Sequence, residues 1–101
     1  MKVDKLKAYL GFAIKSGNVI FGVDKLFESK KAPVLTLVCH TQNEKVYGKI
    51  EKFCNLNKIN LIKLSNLTLS DLVGRDNCKV ISILDINLAQ AIENELLMGN
   101  E

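Results

Sequence analysis

The apolar positions in the first quarter of the chain form two helical stripes separated by a short extended segment. The first stripe has the spacing of an amphipathic helix and consists of Leu6, Tyr9, Leu10, Ala13 and Ile14. Gly17 follows it, where a left-handed residue would close the helix. Residues 18–21 have room for one short strand, and Gly22 permits a sharp turn. The second stripe consists of Val23, Leu26 and Phe27.

Downstream, extended runs alternate with further helical stripes. Pro33 ends the second helix region, and residues 34–39 form an apolar run typical of a strand that is covered on both faces. Thr41 and Glu44 have the spacing of a capping box, which predicts the start of a third helix. Its stripe consists of Val46, Ile50, Phe53 and Cys54. Residues 58–64 then predict a strand.

The last third of the chain repeats this alternation. Thr68 and Asp71 again have capping-box spacing before a short helix that Gly74 would end. Residues 79–84 predict a buried strand, after which Asp85 or Asn87 can cap a final helix with Gly99 past its end. The order αβαβαβαβα predicts an α/β protein, a three-layer α/β/α sandwich with a central four-stranded mixed sheet and crossovers between parallel strands.

Length and composition narrow the class of protein. The 101 residues predict one domain spanning 1–101, and 48% apolar residues are enough for a core. No apolar run approaches the length of a membrane span, and the N-terminal residues do not resemble a signal peptide. Cys39, Cys54 and Cys78 are odd in number and widely spaced, which favours reduced thiols in a cytoplasmic protein and offers no metal half-site. We expect no cofactor.

Positive charge is concentrated in the first half of the chain. Residues 1–52 carry ten lysines against five acidic residues, whereas residues 53–101 carry four basic residues against six acidic ones. This asymmetry indicates an anionic partner met mainly by the first half, although a solvated lysine surface explains it about as well.

Four motifs, in order, resemble a known family. Residues 10–13 read L-G-F-A and residues 16–19 read S-G-N-V, followed by Gly22. The other three motifs are Cys54, the segment L-S-D-L-V-G-R at 69–75, and I-L-D at 83–85 with L-A at 88–89. Together they resemble the kink-turn RNA-binding superfamily of ribosomal proteins L-seven-Ae and L-thirty-e, most closely its bacterial YlxQ-like branch. The resemblance covers nearly the whole chain. It implies non-enzymatic binding of structured, ribosomal RNA, with ribosomal proteins as further partners.

The resemblance also implies a site. The family's G-x-N-E-x-x-K contact segment falls on Gly22, Asp24, Lys25 and Glu28, so glycine is kept while the three polar positions differ. Aspartate only accepts hydrogen bonds and lysine only donates them, which predicts weakened or altered kink-turn specificity. The predicted RNA contacts are Asn18, Gly22, Val23, Asp24, Lys25, Glu28, Arg75, Asn77 and Lys79.

Each candidate has a plainer interpretation. Gly22 with Lys25 could receive a phosphate or form an ordinary turn, and the polar loop with Arg75 is suited to phosphate or guanine contact. Three lysines at helical spacing could contact phosphates but are more typical of a solvated face; they are Lys45, Lys49 and Lys52.

Two further functions compete with RNA binding. The altered charges at Asp24, Lys25 and Glu28 would suit a protein-interaction module that has lost RNA recognition. A thiol enzyme centred on Cys39 is the weaker candidate, because neighbouring strand residues such as Cys39 and His40 point to opposite faces. The six aromatic residues mostly occupy stripe positions, so we expect them in the core rather than in a base-stacking platform.

Overall fold

The computed structural model describes residues 3–99 and has the predicted alternation of helices and strands. Five helices and four strands follow one another as α1 (Val3–Lys15), β1 (Val19–Phe21), α2 (Val23–Glu28), β2 (Leu35–Cys39), α3 (Glu44–Leu56), β3 (Asn60–Leu64), α4 (Leu69–Val73), β4 (Val80–Ile83) and α5 (Ile86–Gly99). No helix within residues 3–99 has the length and apolar character needed to cross a membrane.

The four strands form one mixed sheet in the order β1-β4-β2-β3. β2 and β3 are parallel, and the helix α3 connects them. β4 lies between β1 and β2 and runs antiparallel to both. The predicted mixed sheet is therefore confirmed, but parallel pairing is limited to β2 and β3, because alternation along the chain restricts the layers and not the direction of each strand.

Two apolar clusters, one on each face of the sheet, make the molecule a three-layer sandwich. Leu35, Leu37 and Cys39 of β2 pack with residues of α1, α4 and α5. Val38 packs with α2 and α3 through Leu26 and other side chains of the opposite face. All five residues of β2 are buried, as expected for a strand covered on both faces.

A hydroxyl pair interrupts this apolar interior. Thr36 and Ser82 are fully buried and directly opposite each other on β2 and β4. Their Oγ1 and Oγ atoms are 2.9 Å apart, so each hydroxyl has a hydrogen-bond partner. The pair is thereby satisfied without water in the core.

Most predicted helix ends are confirmed. Gly17 has a φ of 75°, and the N–H groups of Gly17 and Asn18 donate to the carbonyls of Ile14 and Ala13, as in a Schellman motif. Thr68 Oγ1 accepts from the Asp71 N–H, which makes Thr68 the N-cap of α4. Gly74 closes α4 in a left-handed conformation. Asp85 Oδ1 accepts from the N–H groups of Asn87 and Leu88, so Asp85 caps α5.

Two predicted ends and two aromatic positions were wrong. Asn43 caps α3 in place of Thr41, because its Oδ1 reaches the N–H groups of Lys45 and Val46 while the Thr41 hydroxyl donates to Cys39 Sγ. Gly99 lies inside α5 and not beyond it. Phe12 on α1 and Phe27 on α2 are 67% and 37% exposed, so neither belongs to the buried core.

Candidate functional site

A groove lies where β1 ends and β4 begins. It has a volume of about 290 Å³ and is lined by Phe21, Gly22 and the segment from Arg75 to Val80. The Gly22 N–H donates to the Val80 carbonyl at 3.1 Å and holds the two strand ends together. Gly22 has a φ of 84° and a ψ of 163°, a conformation that is essentially confined to glycine.

An arginine stacked on an aromatic ring forms one side of the groove. The Arg75 guanidinium carbon lies 4.1 Å from the centre of the Phe21 ring. Phe21 is half-buried against the core cluster, so its ring is a fixed support for the exposed guanidinium. A stacked guanidinium keeps its five N–H donors at its edge, where they can bind a phosphate or a base.

The conformation of the loop that carries Arg75 is fixed by two left-handed residues and by a hydrogen bond to α4. Gly74 and Asn77 both have left-handed backbone conformations, with φ of 71° and 58°. The Cys78 N–H donates to Ser70 Oγ at 3.1 Å, which ties the loop to α4. Asparagine tolerates this conformation better than most residues, so Asn77 also has a structural role in shaping the loop.

The electrostatics of the groove are mainly cationic. Arg75 and Lys79 are exposed, and within residues 3–99 no carboxylate oxygen lies within 4.0 Å of either side chain. Asp76 adds one negative charge to the lining. Burial raises the pKa of the Cys78 thiol, and the nearby Arg75 charge offsets this only in part.

Four of the nine predicted contact residues come together here. Gly22, Arg75, Asn77 and Lys79 line the groove. Asn18 lies at the opposite end of β1, where its carbonyl accepts from the Leu84 N–H and its side chain donates to Ser16. The structure thus places Asn18 away from the groove.

The remaining predicted contacts lie on α2, beside the groove but outside its lining. Val23 packs into the core on the α2 and α3 face of the sheet. Asp24, Lys25 and Glu28 are exposed on this helix. The helix has only six residues.

Sequence reasoning missed the role of Phe21. Its place in an apolar strand indicated the core, yet Phe21 is only half-buried at the end of the edge strand β1 and its ring lies under Arg75. Apolar spacing carries no signal for this contact.

Cys39 and His40 are separated as expected. Cys39 is buried at 1% exposure and packs into the core, whereas His40 is exposed. Burial opposes ionisation of Cys39, but hydrogen bonds from Thr41 and from the Leu69 N–H, with the Lys79 charge, hold its pKa below the usual value. The three thiols are free, and no metal-binding group of three or more ligating side chains occurs in the described part of the chain.

The lysine stripe of α3 lies apart from the groove lining. Lys45, Lys49 and Lys52 are exposed, as a solvated helix face would be. Tyr47, on the same helix, instead contacts Lys63 of β3, whose ammonium lies 4.9 Å from the ring centre.

Comparison with known proteins identifies the fold alone. No protein-family model matches the chain, and no curated protein matches its sequence. Among solved structures, the chain is similar to a protein of unknown function from Bacillus halodurans, with a TM-score of 0.75 and 19% sequence identity. The similarity covers 88% of this chain and 97% of that one. The chain therefore shares an α/β fold with that protein.

Proposed function

We propose that the protein is a non-enzymatic, cytoplasmic RNA-binding protein that contacts structured, ribosome-associated RNA through the Phe21–Lys79 groove. The observation that carries the proposal is the Arg75 guanidinium held over Phe21 beside a glycine. The resemblance of residues 10–22 and 69–89 to the kink-turn binders of ribosomal proteins supports the same surface.

The groove suits RNA for three physical reasons. Stacking on Phe21 restricts the guanidinium before binding, so less conformational entropy is lost when Arg75 contacts a phosphate. Gly22 has no side chain, and a Cβ built there would meet no atom within 4 Å, so the backbone is open to close approach. Lys79 supplies a second positive charge to the same groove, and it has no ion-pair partner among residues 3–99.

The neighbouring α2 surface should weaken kink-turn specificity. Asp24 and Glu28 place two exposed carboxylates beside the groove, where they would repel RNA phosphates. Lys25 can contact a phosphate but cannot accept a hydrogen bond from guanine. We expect binding to depend more on RNA backbone geometry than on the sheared base pairs of a kink-turn.

Salt dependence of binding to a bulged RNA hairpin tests the proposal. Arg75→Gln/Lys79→Gln removes two phosphate contacts, so the slope of log affinity against log salt should fall by about 1.8. Lys7→Gln/Lys15→Gln removes the same charge from exposed helical positions outside the groove and should leave the slope near that of the wild type. Equal slopes for the two double variants would place the contact elsewhere or refute RNA binding.

One observation favours the alternative of a protein-interaction module. Phe12 on α1 is 67% exposed and Ile86 at the start of α5 is 58% exposed. Both lie near the end of the sheet where the Leu84 N–H meets the Asn18 carbonyl. Failure of the unmodified protein to bind RNA, together with loss of a protein partner on Phe12→Ser but not on Arg75→Gln/Lys79→Gln, would support this alternative.

A further inference from the structure

A second cleft lies at the opposite end of the sheet from the groove. Val19, Ile83, Leu35 and Asn60 form a row across that end of the four strands. The loops that lead into β2 and β3 meet beyond this row and enclose a cleft of about 100 Å³. Its walls include Ser29, Lys30, Lys31, Phe53 and Asn57.

Lysines dominate the border of the cleft. Lys30 and Lys31 line it, and Lys58 lies between two lining residues, Asn57 and Ile59. All three lysines are exposed, and none has a carboxylate oxygen within 4.0 Å in the described part of the chain. Among residues 3–99 no acidic residue lines the cleft, although the exposed Glu28 directly precedes Ser29. The partial negative charge at the C-terminal end of a helix favours a nearby cation. The ends of α2 and α3 would therefore account for one lysine each, but not for all three.

The backbone on both sides of the cleft is fixed by local hydrogen bonds. Ser29 Oγ donates to the Lys31 carbonyl at 2.7 Å and accepts from the Lys31 N–H at 3.2 Å. Opposite it, the Asn57 side chain donates to the Phe53 carbonyl at 2.8 Å. The lysine side chains therefore extend from ordered positions.

An aromatic pair adjoins these lysines. The rings of Phe27 and Phe53 have their centres 5.0 Å apart and are tilted by 47°. Phe53 lines the cleft, and Phe27 is 37% exposed. Aromatic rings interleaved with cations are the combination that holds single-stranded nucleic acid, since bases stack while phosphates pair with lysines.

We propose that this cleft binds a single-stranded RNA segment, with phosphates on Lys30, Lys31 and Lys58 and a base against Phe27. The inference rests on the proposed function and extends it, because it gives the protein two RNA contacts at opposite ends of one sheet. The groove takes a structured element, and the cleft takes the unpaired strand that continues from it or comes from a second molecule.

Two fluorescent probes, oligouridine and a bulged RNA hairpin, test the cleft separately from the groove. Lys30→Gln/Lys31→Gln should weaken oligouridine binding and lower its salt slope by about 1.4, the value for two contacts to a single strand. Hairpin binding should change little. Lys7→Gln/Lys15→Gln is the matched control, with the same loss of charge at exposed positions outside the cleft.

Phe27→Leu distinguishes base stacking from attraction by charge alone. Leucine keeps an apolar contact with Phe53 but removes the ring face, so oligouridine affinity should fall about fivefold or more. An oligoglutamate peptide of the same charge should bind much more weakly than oligouridine. Equal binding of the two probes, or no effect of Phe27→Leu, would overturn the assignment to nucleic acid.

The two proposals fail in different ways. If only Arg75→Gln/Lys79→Gln weakens binding of both probes, the cleft inference is wrong while the groove proposal stands. If only Lys30→Gln/Lys31→Gln weakens binding of both, the cleft is the RNA site and the groove proposal is wrong. If neither double variant differs from Lys7→Gln/Lys15→Gln, both are wrong.

Discussion

The groove and the cleft lie at opposite ends of the same sheet and hold their positive charges in different ways. At the groove, one planar guanidinium is stacked 4.1 Å from the Phe21 ring and Asp76 lies nearby. At the cleft, Lys30, Lys31 and Lys58 extend from two loops without acidic neighbours in the lining. A guanidinium held on a ring favours partners whose acceptor atoms match its fixed, planar set of donors. Flexible ammonium groups respond mainly to the charge density of the partner. The groove should therefore discriminate between RNA structures more strongly than the cleft.

The largest expected effect comes from introducing, next to the groove, the contact residues of the kink-turn binders that the sequence resembles. Asp24→Asn/Lys25→Glu/Glu28→Lys should create a preference for a kink-turn RNA over a plain duplex of equal length, which the wild type should lack. By analogy with base readout in DNA, each introduced contact is worth about 1–3 kcal/mol. Competition binding with the two RNAs measures the preference.

The cleft provides the control for this experiment. Lys30→Gln/Lys31→Gln should change the affinity for both structured RNAs little and leave their ratio unchanged. Strong kink-turn selectivity in the unmodified protein would contradict the prediction and show that α2 is aligned wrongly with the family's contact segment.

A smaller effect is expected from the glycines at the two ends. Gly22→Ala at the groove should cost about 1–3 kcal/mol of unfolding free energy, because a ψ of 163° with a φ of 84° strains any residue with a Cβ. Gly17→Ala at the other end should cost about 1–2 kcal/mol, since a φ of 75° lies in the left-handed region. Urea denaturation measures both.

Gly48 is the matched control because it lies inside the helix α3 with a φ outside the strained region. A Cβ built there meets nothing within 4 Å. Gly48→Ala should therefore stabilise the protein by about 0.5–1 kcal/mol. A gain at Gly22 of similar size would show that the backbone there is not strained.

The smallest expected effect is the pH dependence contributed by two buried thiols. Burial raises the pKa of Cys54, so its contribution to stability is present below the unfolded pKa of about 8.5 and is lost as the pH rises. The pKa of Cys39 is lowered against its burial, so its contribution is present above about 8.5 and is lost as the pH falls.

Urea denaturation across pH 6 to 10 should separate the two thiols. Relative to wild type, Cys54→Ala should show a shallower loss of stability above about pH 8.5. Cys39→Ala should lack the part of the stability that the wild type loses as the pH falls below about 8.5. Parallel pH profiles for both variants would mean that neither thiol titrates differently in the folded and unfolded chains.

Most of the fold could be predicted because the apolar spacing is unambiguous. The buried run at β2 and the glycine that ends α1 each indicate one local structure. The strand directions could not be predicted in the same way, since β4 pairs antiparallel with both neighbours through contacts distant in sequence. Thr41 fits the capping-box spacing as a pattern, but Asn43 lies closer to the first free N–H groups.

The candidate site was only partly predictable. Gly22 and the loop with Arg75 are distant in sequence. Only the resemblance to the kink-turn binders predicted that they belong to one site. The contact between Arg75 and Phe21 depends on the open side of an edge strand, which apolar spacing does not reveal. The cleft could not be predicted from the sequence, because its lysines belong to two loops that meet only in the folded chain.

The buried pair of Thr36 and Ser82 helps to fix the register of β4 against β2. If β4 slipped by two residues along β2, Ser82 would face Val34 or Val38 and its hydroxyl would lose its partner, at a cost of about 1–3 kcal/mol. The same slip would carry Val80, and the Gly22 end of β1 bonded to it, about 7 Å along the sheet. One hydrogen bond between two small side chains thus helps to set the span between the two surfaces that we assign to RNA.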